Sequence, residues 1–184
     1  MKGKEFVVFD LEATCYREGD PKRPKDFVNE IIEIGAVKLD SEGNEIDRFS
    51  KFARPLTHPV ISEFCNELTT ITQEDIDSAE ELGDVLAQFV EWVDGAILIS
   101  WGFYDRKQME RDLIANDLEY LMESLESHQS LKHLHGSWNN LRRGGIGLGG
   151  AIKFENLEFD GTAHRGIDDA INIAKIFRKY IERF

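Results

Sequence analysis

The chain has 184 residues, of which 41% are hydrophobic and 31% charged, the balance of a globular domain with a full core. Its 35 acidic and 22 basic residues give a net charge of −13, which argues against a broad basic face that wraps long nucleic acid. Two cysteines are too few for a disulfide framework or a zinc site of their own. The sequence shows no apolar run of about 18 residues that would span a membrane and no secretory signal. We therefore expect one domain over residues 1–184, in the cytoplasm and without a membrane partner.

The first predicted strand ends in two acids. Phe6 to Phe9 form an apolar run typical of a strand buried on both faces, and Asp10 and Glu12 follow. Residues i and i+2 of a strand point to the same face, so these carboxylates project side by side. Adjacent ionised carboxylates repel, and a cation such as Mg²⁺ or Mn²⁺ would relieve the repulsion. Taken alone, the pair is explained equally well as a strand end with two solvated acids.

The next stretch predicts a hairpin and then helices. Residues 31–40 and 45–54 read as antiparallel strands, with Ile46 among the packing residues of the second. Residues 61–76 are mixed and partly helical. Ser78 to Glu81 match a capping box, which predicts the start of an amphipathic helix from Leu82 to Val93 that Asp94 and Gly95 end.

A further acid follows a second buried strand. Residues 96–101 predict that strand, and Asp105 lies in the turn that leads into a helix ending near Asn116. In open sheets with helices on their faces, ligands bind at such strand ends. Asp105 is therefore a candidate to join the two acids of the first strand.

The C-terminal part predicts fewer elements. A short strand is expected near 129–131 and a short helix over 149–155, whereas the glycine-rich run 144–150 lacks the pattern of a phosphate-binding loop. A final helix is predicted from about Ile167 to Glu182. The element order resembles a ribonuclease-H-like α/β fold, with a central mixed five-stranded sheet and helices on both faces.

Several segments together resemble the DEDDh family of 3′–5′ exonucleases, and in particular its branch that trims RNA 3′ ends. Residues 9–15 read Phe-Asp-Leu-Glu-Ala-Thr-Cys, as that branch's first motif does. The likeness covers nearly the whole chain and extends to residues 30–37, 68–73, the segment around Asp105 and residues 164–170.

The resemblance implies a catalytic set residue by residue. Asp10 and Glu12 match the two acids of the first motif, Asp105 the middle acid, His164 the histidine and Asp169 the last acid. It implies that the four carboxylates hold two divalent cations, Mg²⁺ or Mn²⁺, and that His164 is the general base in phosphodiester hydrolysis. A lone histidine before a helix would more often be structural.

Two details of the match need the structure. Helical geometry alone does not choose between Asp168 and Asp169, and the family's spacing from the histidine selects Asp169. Acids in a first helical turn also suit the positive end of the helix. Thr70 stands where the family often has glycine, so that loop is expected to differ.

For substrate binding, the resemblance points to the backbone of Ala13 and Thr14 and to the aromatic residues Phe64 and Tyr104. Stacking of a base on such a ring contributes about 1–3 kcal/mol and tolerates any base, although core packing explains both rings equally well. Arg165 either reaches a phosphate or forms a surface salt bridge.

These patterns favour a metal-dependent exonuclease that acts on the 3′ end of short or single-stranded nucleic acid, with RNA favoured over DNA. A DNA exonuclease of the proofreading type is the first alternative, although its first motif usually reads Asp-x-Glu-Thr-Thr-Gly. A regulatory binding protein is the second, because the chain also resembles bacterial proteins described as inhibitors of a sporulation kinase pathway. Whether the substitution Asp10→Ala removes a biological effect together with nuclease activity separates that alternative from an enzyme.

Overall fold

The computed structural model describes residues 4–142 and 144–184. Its five strands are β1 (Phe6–Ala13), β2 (Ile31–Leu39), β3 (Glu45–Phe52), β4 (Ile97–Ser100) and β5 (His128–Ser130). They form one sheet in the order β3-β2-β1-β4-β5. β1 pairs antiparallel with β2 and parallel with β4, and β4 pairs parallel with β5. The sheet is therefore mixed, and the strand that carries the first two acids lies at its centre.

The helices flank this sheet. They are α1 (Glu63–Thr69), α2 (Gln73–Ser78), α3 (Leu82–Val93), α4 (Tyr104–Ala115), α5 (Leu131–Trp138), α6 (Leu148–Phe154) and α7 (Gly166–Lys179), with 3₁₀ turns at Glu119–Leu125 and Ile181–Arg183. None of the helices in the described parts of the chain is long and apolar enough to cross a bilayer.

Alternate residues of β1 face two different hydrophobic layers. Phe9 packs on Phe89 of α3, with ring centroids 5.9 Å apart, and belongs to the layer that α3 and α4 cover. Phe6 packs on Phe177 of α7 at 4.9 Å and belongs to the layer under α6 and α7. Helices thus cover both faces of the sheet, and the predicted ribonuclease-H-like α/β fold is confirmed.

Two local predictions are wrong. The capping box belongs to α2, where Thr72 and Asp75 bond each other's backbone, whereas α3 begins after Glu81 without a side-chain cap. The backbone there is occupied instead by the chain after β3: the Arg54 amide donates to Glu80 O at 2.8 Å and the Leu82 amide to Arg54 O at 3.0 Å. This pairing fixes the start of α3 without a capping side chain.

The second wrong prediction is Ile46, which is 49% exposed. It lies in the exposed first half of β3, an edge strand. The structure also contains α5, which the sequence did not predict, whereas α3, β5 and α6 lie within a residue or two of their predicted positions.

Candidate active site

Four residues on one face of the sheet form the base of the site. In β1, Asp10 and Glu12 share a face because they are two residues apart. In β2, Gly35 is opposite Asp10 and Glu33 is opposite Glu12, and residues directly opposed in an antiparallel pair lie on the same face. Three carboxyl groups and one position without a side chain therefore meet on the face of the sheet that α7 covers.

Gly35 lets the start of α7 touch the sheet. A Cβ atom at position 35 would lie 2.0 Å from the amide nitrogen of Ile167 and 2.1 Å from the carbonyl carbon of Gly166. A glycine inside a strand often marks such a close approach of another backbone. The absence of a side chain at Gly35 thus sets how near the N-terminus of α7 comes to β1.

Glu33 holds the same helix start by hydrogen bonds. Its side chain is 1% exposed and accepts from Arg165 Nε at 3.1 Å, from Arg165 Nη2 at 3.3 Å and from the Gly166 amide at 3.0 Å. The Arg165 guanidinium also lies over the ring of Phe52, 5.2 Å from its centroid. A buried carboxylate needs partners of this kind. Arg165 thus forms a salt bridge to a buried acid, and its contact with a phosphate stays a prediction.

The segment that leads into α7 brings two predicted residues to Glu12. Ligand atoms of Glu12, His164 and Asp169 all lie within 4.8 Å of one another. His164 has a φ of 63°, and its amide donates to Asp169 Oδ2 at 3.1 Å. A left-handed residue other than glycine costs about 1–2 kcal/mol, and strain at such a cluster suggests a functional role. Asp169 therefore both joins the cluster and fixes the backbone that carries the imidazole.

Asp168 points elsewhere. Its Oδ2 accepts from the amide of Thr162 at 2.8 Å, because successive residues of a helix are about 100° apart. The structure thus brings Asp169, and not its neighbour, to Glu12 and His164, and the role of Asp169 as a metal ligand stays a prediction.

α4 places Asp105 at the same end of the sheet. Asp105 lies in the first turn of that helix, just past β4, and is 5% exposed. Its carboxylate accepts hydrogen bonds from its own amide and from the amide of Leu11 in β1. The bond to Leu11 ties the start of α4 to the strand that carries Asp10 and Glu12.

Burial and mutual repulsion raise the pKa values of all four carboxyl groups. The pKa of Asp10 is raised well above its usual value by burial and then by the charges of Asp105, Asp169 and Glu12. Burial, followed by the charge of Asp169, raises the pKa of Glu12 to about 8. Burial also raises the pKa values of Asp105 and Asp169 to about 6 against opposing hydrogen bonds. Carboxyl groups that destabilise each other's charge in this way fit the oxygen ligand set of Mg²⁺ or Mn²⁺.

The backbone predicted to hold substrate is partly occupied within the protein. The Thr14 amide donates to Glu30 O at 2.8 Å, and the Thr14 hydroxyl accepts from the Glu30 amide at 3.0 Å. The carbonyl of Ala13 accepts a weak bond from the Cys65 thiol at 3.7 Å. Ala13 and Thr14 therefore form a fixed wall beside Glu12, and the Thr14 amide is already engaged there.

The two predicted aromatic residues differ in their surroundings. Phe64 is half-buried beneath Arg17, whose guanidinium lies 5.3 Å from the ring centroid, and it lines a cavity of about 420 Å³ with residues 17–21. Tyr104 is 55% exposed, and its hydroxyl donates to Gln108 Oε1 at 3.2 Å. Core packing therefore does not account for Tyr104, which stands at the surface next to Asp105.

Acids at the ends of the two central strands, on a sheet of this order, define the class of ribonuclease-H-like exonucleases. The sequence profile of the family described as Exonuclease (RNase_T) matches residues 7–177. The chain belongs to this exonuclease family, and the predicted DEDDh resemblance is confirmed.

Curated relatives and solved structures agree. The chain is 33% identical over 198 residues to human ERI1 exoribonuclease 2, covering 96% of this chain and 28% of that protein. It superposes with a TM-score of 0.76 and 28% identity on the nuclease domain of 3′hExo, a DEDDh family member bound to rAMP, covering 98% of this chain and 93% of that one. A second structure is a 3′-exonuclease described under 3′-end specific recognition of histone mRNA stem-loop. It superposes with a TM-score of 0.79 at 25% identity, over 100% of this chain and 84% of that one.

The curated relatives are longer proteins. The chain spans 28% of human ERI1 exoribonuclease 2 and 51% of rat 3′-5′ exoribonuclease 1. The likeness therefore concerns the nuclease portion of these relatives.

The residues that sequence reasoning missed are Glu33 and Gly35. Neither residue is among those that the family match implies for catalysis, metal binding or substrate binding. Both nevertheless set the position of α7. A charged residue and a glycine two positions apart, inside an otherwise apolar strand, are the sequence feature that would have indicated them.

Proposed function

We propose that this protein is a metal-dependent 3′–5′ exonuclease that removes nucleotides from the 3′ end of single-stranded nucleic acid, with RNA as its favoured substrate. The observation that carries the proposal is the convergence of four carboxyl groups with raised pKa values and one histidine at the end of the central strands. These residues come from three separate parts of the chain, and the packing of the fold does not require them to meet.

The acidic residues fit two divalent cations, Mg²⁺ or Mn²⁺. Asp10, Glu12, Asp105 and Asp169 would hold them, because all four offer carboxylate oxygens at one end of the sheet. Divalent cations held by these carboxylates would polarise the phosphodiester and would lower the pKa of an attacking water. Asp10 is central in this set, since the charges of the other three acids all act on it.

His164 would accept the proton of the attacking water. Its imidazole is exposed, and its ligand atom lies within 4.8 Å of those of Glu12 and Asp169. Histidine is the side chain that most often serves as a general base in enzymes that work near neutral pH. The hydrogen bond from the His164 amide to Asp169 fixes the backbone that carries this imidazole.

RNA is proposed as substrate on the strength of relatives whose names are exoribonucleases. Two observations support a site for a terminal nucleotide: Ala13 and Thr14 follow Glu12 directly in the chain, and the exposed ring of Tyr104 directly precedes Asp105. Phe64 is proposed as a second ring for the substrate. Aromatic rings bind a base by stacking and do not require a particular sequence.

The test is a time course on one single-stranded RNA and its DNA counterpart, each with a 5′ label, in Mg²⁺, Mn²⁺ or EDTA. We expect a ladder that shortens by one nucleotide at a time, faster on RNA and absent in EDTA and in Asp10→Ala. A matched pair of neighbours tests the site: Asp169→Asn should abolish the ladder, whereas Asp168→Asn should keep it.

Opposite outcomes would change the conclusion. Cleavage that is faster on DNA would move the proposal to a DNA exonuclease of the proofreading type. No cleavage of either polymer by folded protein, with Mn²⁺ bound in calorimetry, would favour the regulatory binding protein. Loss of activity in Asp168→Asn but not in Asp169→Asn would overturn the assignment of the last acid.

A further inference from the structure

One face of α4 carries an exposed stripe of aromatic, basic and apolar residues. Tyr104, Lys107, Arg111 and Ile114 follow one another at spacings of three and four residues and so lie along one side of the helix. Tyr104 is 55% and Ile114 56% exposed. The stripe starts at the residue before Asp105, and at 1.5 Å per residue it extends about 15 Å away from the candidate active site.

The two basic residues of the stripe are exposed, and Arg111 donates a hydrogen bond to Gln108 Oε1. Neither Lys107 nor Arg111 forms an ion pair with a carboxylate of residues 4–142 or 144–184. Across the same residues, many other basic side chains are paired: Arg17, Arg48, Lys51, Arg54, Arg106, Arg165, Lys175, Arg178 and Lys179. Other basic side chains of the described residues, such as Arg23, Lys132 and Lys153, also form no ion pair. What distinguishes Lys107 and Arg111, in a chain of net charge −13, is their position one helical turn apart on the helix that begins beside Asp105.

A groove runs beside the stripe. Its volume is about 460 Å³, and its walls include Tyr104, Lys107, Arg111, Ile114 and, from the following 3₁₀ turn, Met122. The acid at its edge, Glu110, is already paired with Arg106 at 2.8 Å. The groove thus combines apolar surface and an aromatic ring with two cations one helical turn apart.

We propose that this groove binds the strand of nucleic acid that leads to the 3′-terminal nucleotide, with Lys107 and Arg111 contacting phosphates and the apolar floor contacting bases. The proposal rests on the proposed function, because it assumes that the 3′ end lies at Asp105. Single-stranded nucleic acid fits the chemistry: cations that track phosphates, interleaved with aromatic and apolar surface, are typical of such sites.

The local charge also resolves an apparent conflict. A protein of strongly negative charge repels a polyanion over most of its surface, so only a short stretch can be held. Two cations along 15 Å of helix next to the site would hold a few nucleotides and leave the rest of the strand free. The groove therefore predicts a binding site of limited length.

The salt dependence of binding tests this directly. Each phosphate contact on a single strand contributes about −0.7 to the slope of log affinity against log salt, so the variant Lys107→Gln/Arg111→Gln should have a slope smaller by about 1.4. Between 50 and 200 mM salt, the wild-type protein should therefore lose about sevenfold more affinity than the variant. Binding of fluorescent RNA oligonucleotides of two to ten nucleotides is measured in Ca²⁺, with gels to show that they stay intact.

The control is the variant Lys4→Gln/Lys153→Gln, which removes the same charge elsewhere. Lys4 precedes the start of β1, at the opposite end of the strand from the acids, and Lys153 lies on α6, which packs on the other face of the sheet from α4. This control should keep the wild-type slope. A 5′-mononucleotide, which has no upstream phosphates, reports on the terminal pocket alone.

The outcomes separate this inference from the proposed function. A reduced slope in the α4 variant alone supports the groove, even if the wild-type protein binds oligonucleotides without cleaving them. Equal slopes in the α4 variant and the control would overturn it, as would an affinity of the wild-type protein that does not increase from two to ten nucleotides. Failure of the wild-type protein to bind any oligonucleotide would overturn it too.

Discussion

The ion pair between Glu33 and Arg165 provides a direct test of how the candidate active site is held. Arg165→Gln leaves the buried Glu33 carboxylate with the Gly166 amide as its remaining partner among the three bonds described, and breaking a buried pair in this way costs about 3–5 kcal/mol. Glu33→Gln keeps the shape of the side chain and an acceptor for Gly166. We expect it to cost less, about 1.5–3 kcal/mol, the contribution of hydrogen bonds to a charged group.

The double variant Glu33→Gln/Arg165→Gln separates pairing from packing. Because it leaves no stranded charge, its cost in the free energy of unfolding should be smaller than the sum of the single costs, with a coupling of about 1–3 kcal/mol. Urea unfolding of the four proteins measures this. The exposed pair Arg54 and Glu81, at 3.2 Å, is the matched control, and its coupling should not exceed about 1 kcal/mol.

The same variants report on activity. The pair fixes the start of α7, and a displacement of about 1 Å at a catalytic group can cost about 100-fold in rate. We therefore expect kcat to fall by about 10- to 100-fold in Arg165→Gln, with a much smaller change in KM for RNA. Additive costs of unfolding together with an unchanged kcat would refute the argument that this pair positions His164 and Asp169.

Three further changes have defined outcomes. Gly35→Ala should destabilise the fold by about 1–3 kcal/mol and abolish cleavage, because its Cβ would overlap the backbone of α7. The control is Gly149→Ala, whose Cβ would have no atom within 4 Å. Urea unfolding should show that this control stabilises the protein slightly. Thr70 has a φ of 63°, which glycine adopts without strain. Thr70→Gly should therefore raise the free energy of unfolding by about 0.5–1 kcal/mol, after the entropy cost of glycine is subtracted, and raise Tm by a few degrees. A lower Tm would contradict this. Burial raises the pKa of Glu12 from 4.5 to about 8, so the folded, metal-free protein binds more protons than the unfolded chain in that window. Its stability in EDTA should therefore fall as pH rises from 5 to 8. Mn²⁺ should restore stability, most of all at pH 8, and the substitution Asp10→Asn should restore it without metal. A Tm that does not vary with pH would contradict this.

Features that depend on neighbouring residues were predictable from the sequence. The alternation of a strand places Asp10 and Glu12 on one face, and the spacing of apolar residues predicts α3 up to its end at Asp94. Thr70 shows the limit of this reasoning: it has a left-handed backbone conformation, which glycine adopts without strain, and nothing in the neighbouring sequence indicates it. The surrounding fold fixes the backbone path at this position, so Thr70 has a strained left-handed conformation.

The capping box shows why local patterns can mislead. Both Thr72 to Asp75 and Ser78 to Glu81 have the pattern of a hydroxyl residue followed three positions later by an acid. Only the first forms the box, because the backbone of residues 80–82 pairs with Arg54. That choice depends on a residue 27 positions away in sequence, which no local pattern contains.

The docking of α7 on β2 lies further still beyond the reach of local patterns, since Glu33 and Arg165 are 132 positions apart. A strand face that presents a buried carboxylate and, two residues on, no side chain needs a partner that brings both a cation and a bare backbone. An Arg-Gly dipeptide brings both at once. The chain has two of them, at positions 143–144 and 165–166, and the second opens α7, which has acids in its first turn and an apolar face for the sheet. Both the strand face and the Arg-Gly dipeptide that fits it are therefore visible in the sequence. Matching them requires knowing that the start of a helix covers this face of the strand.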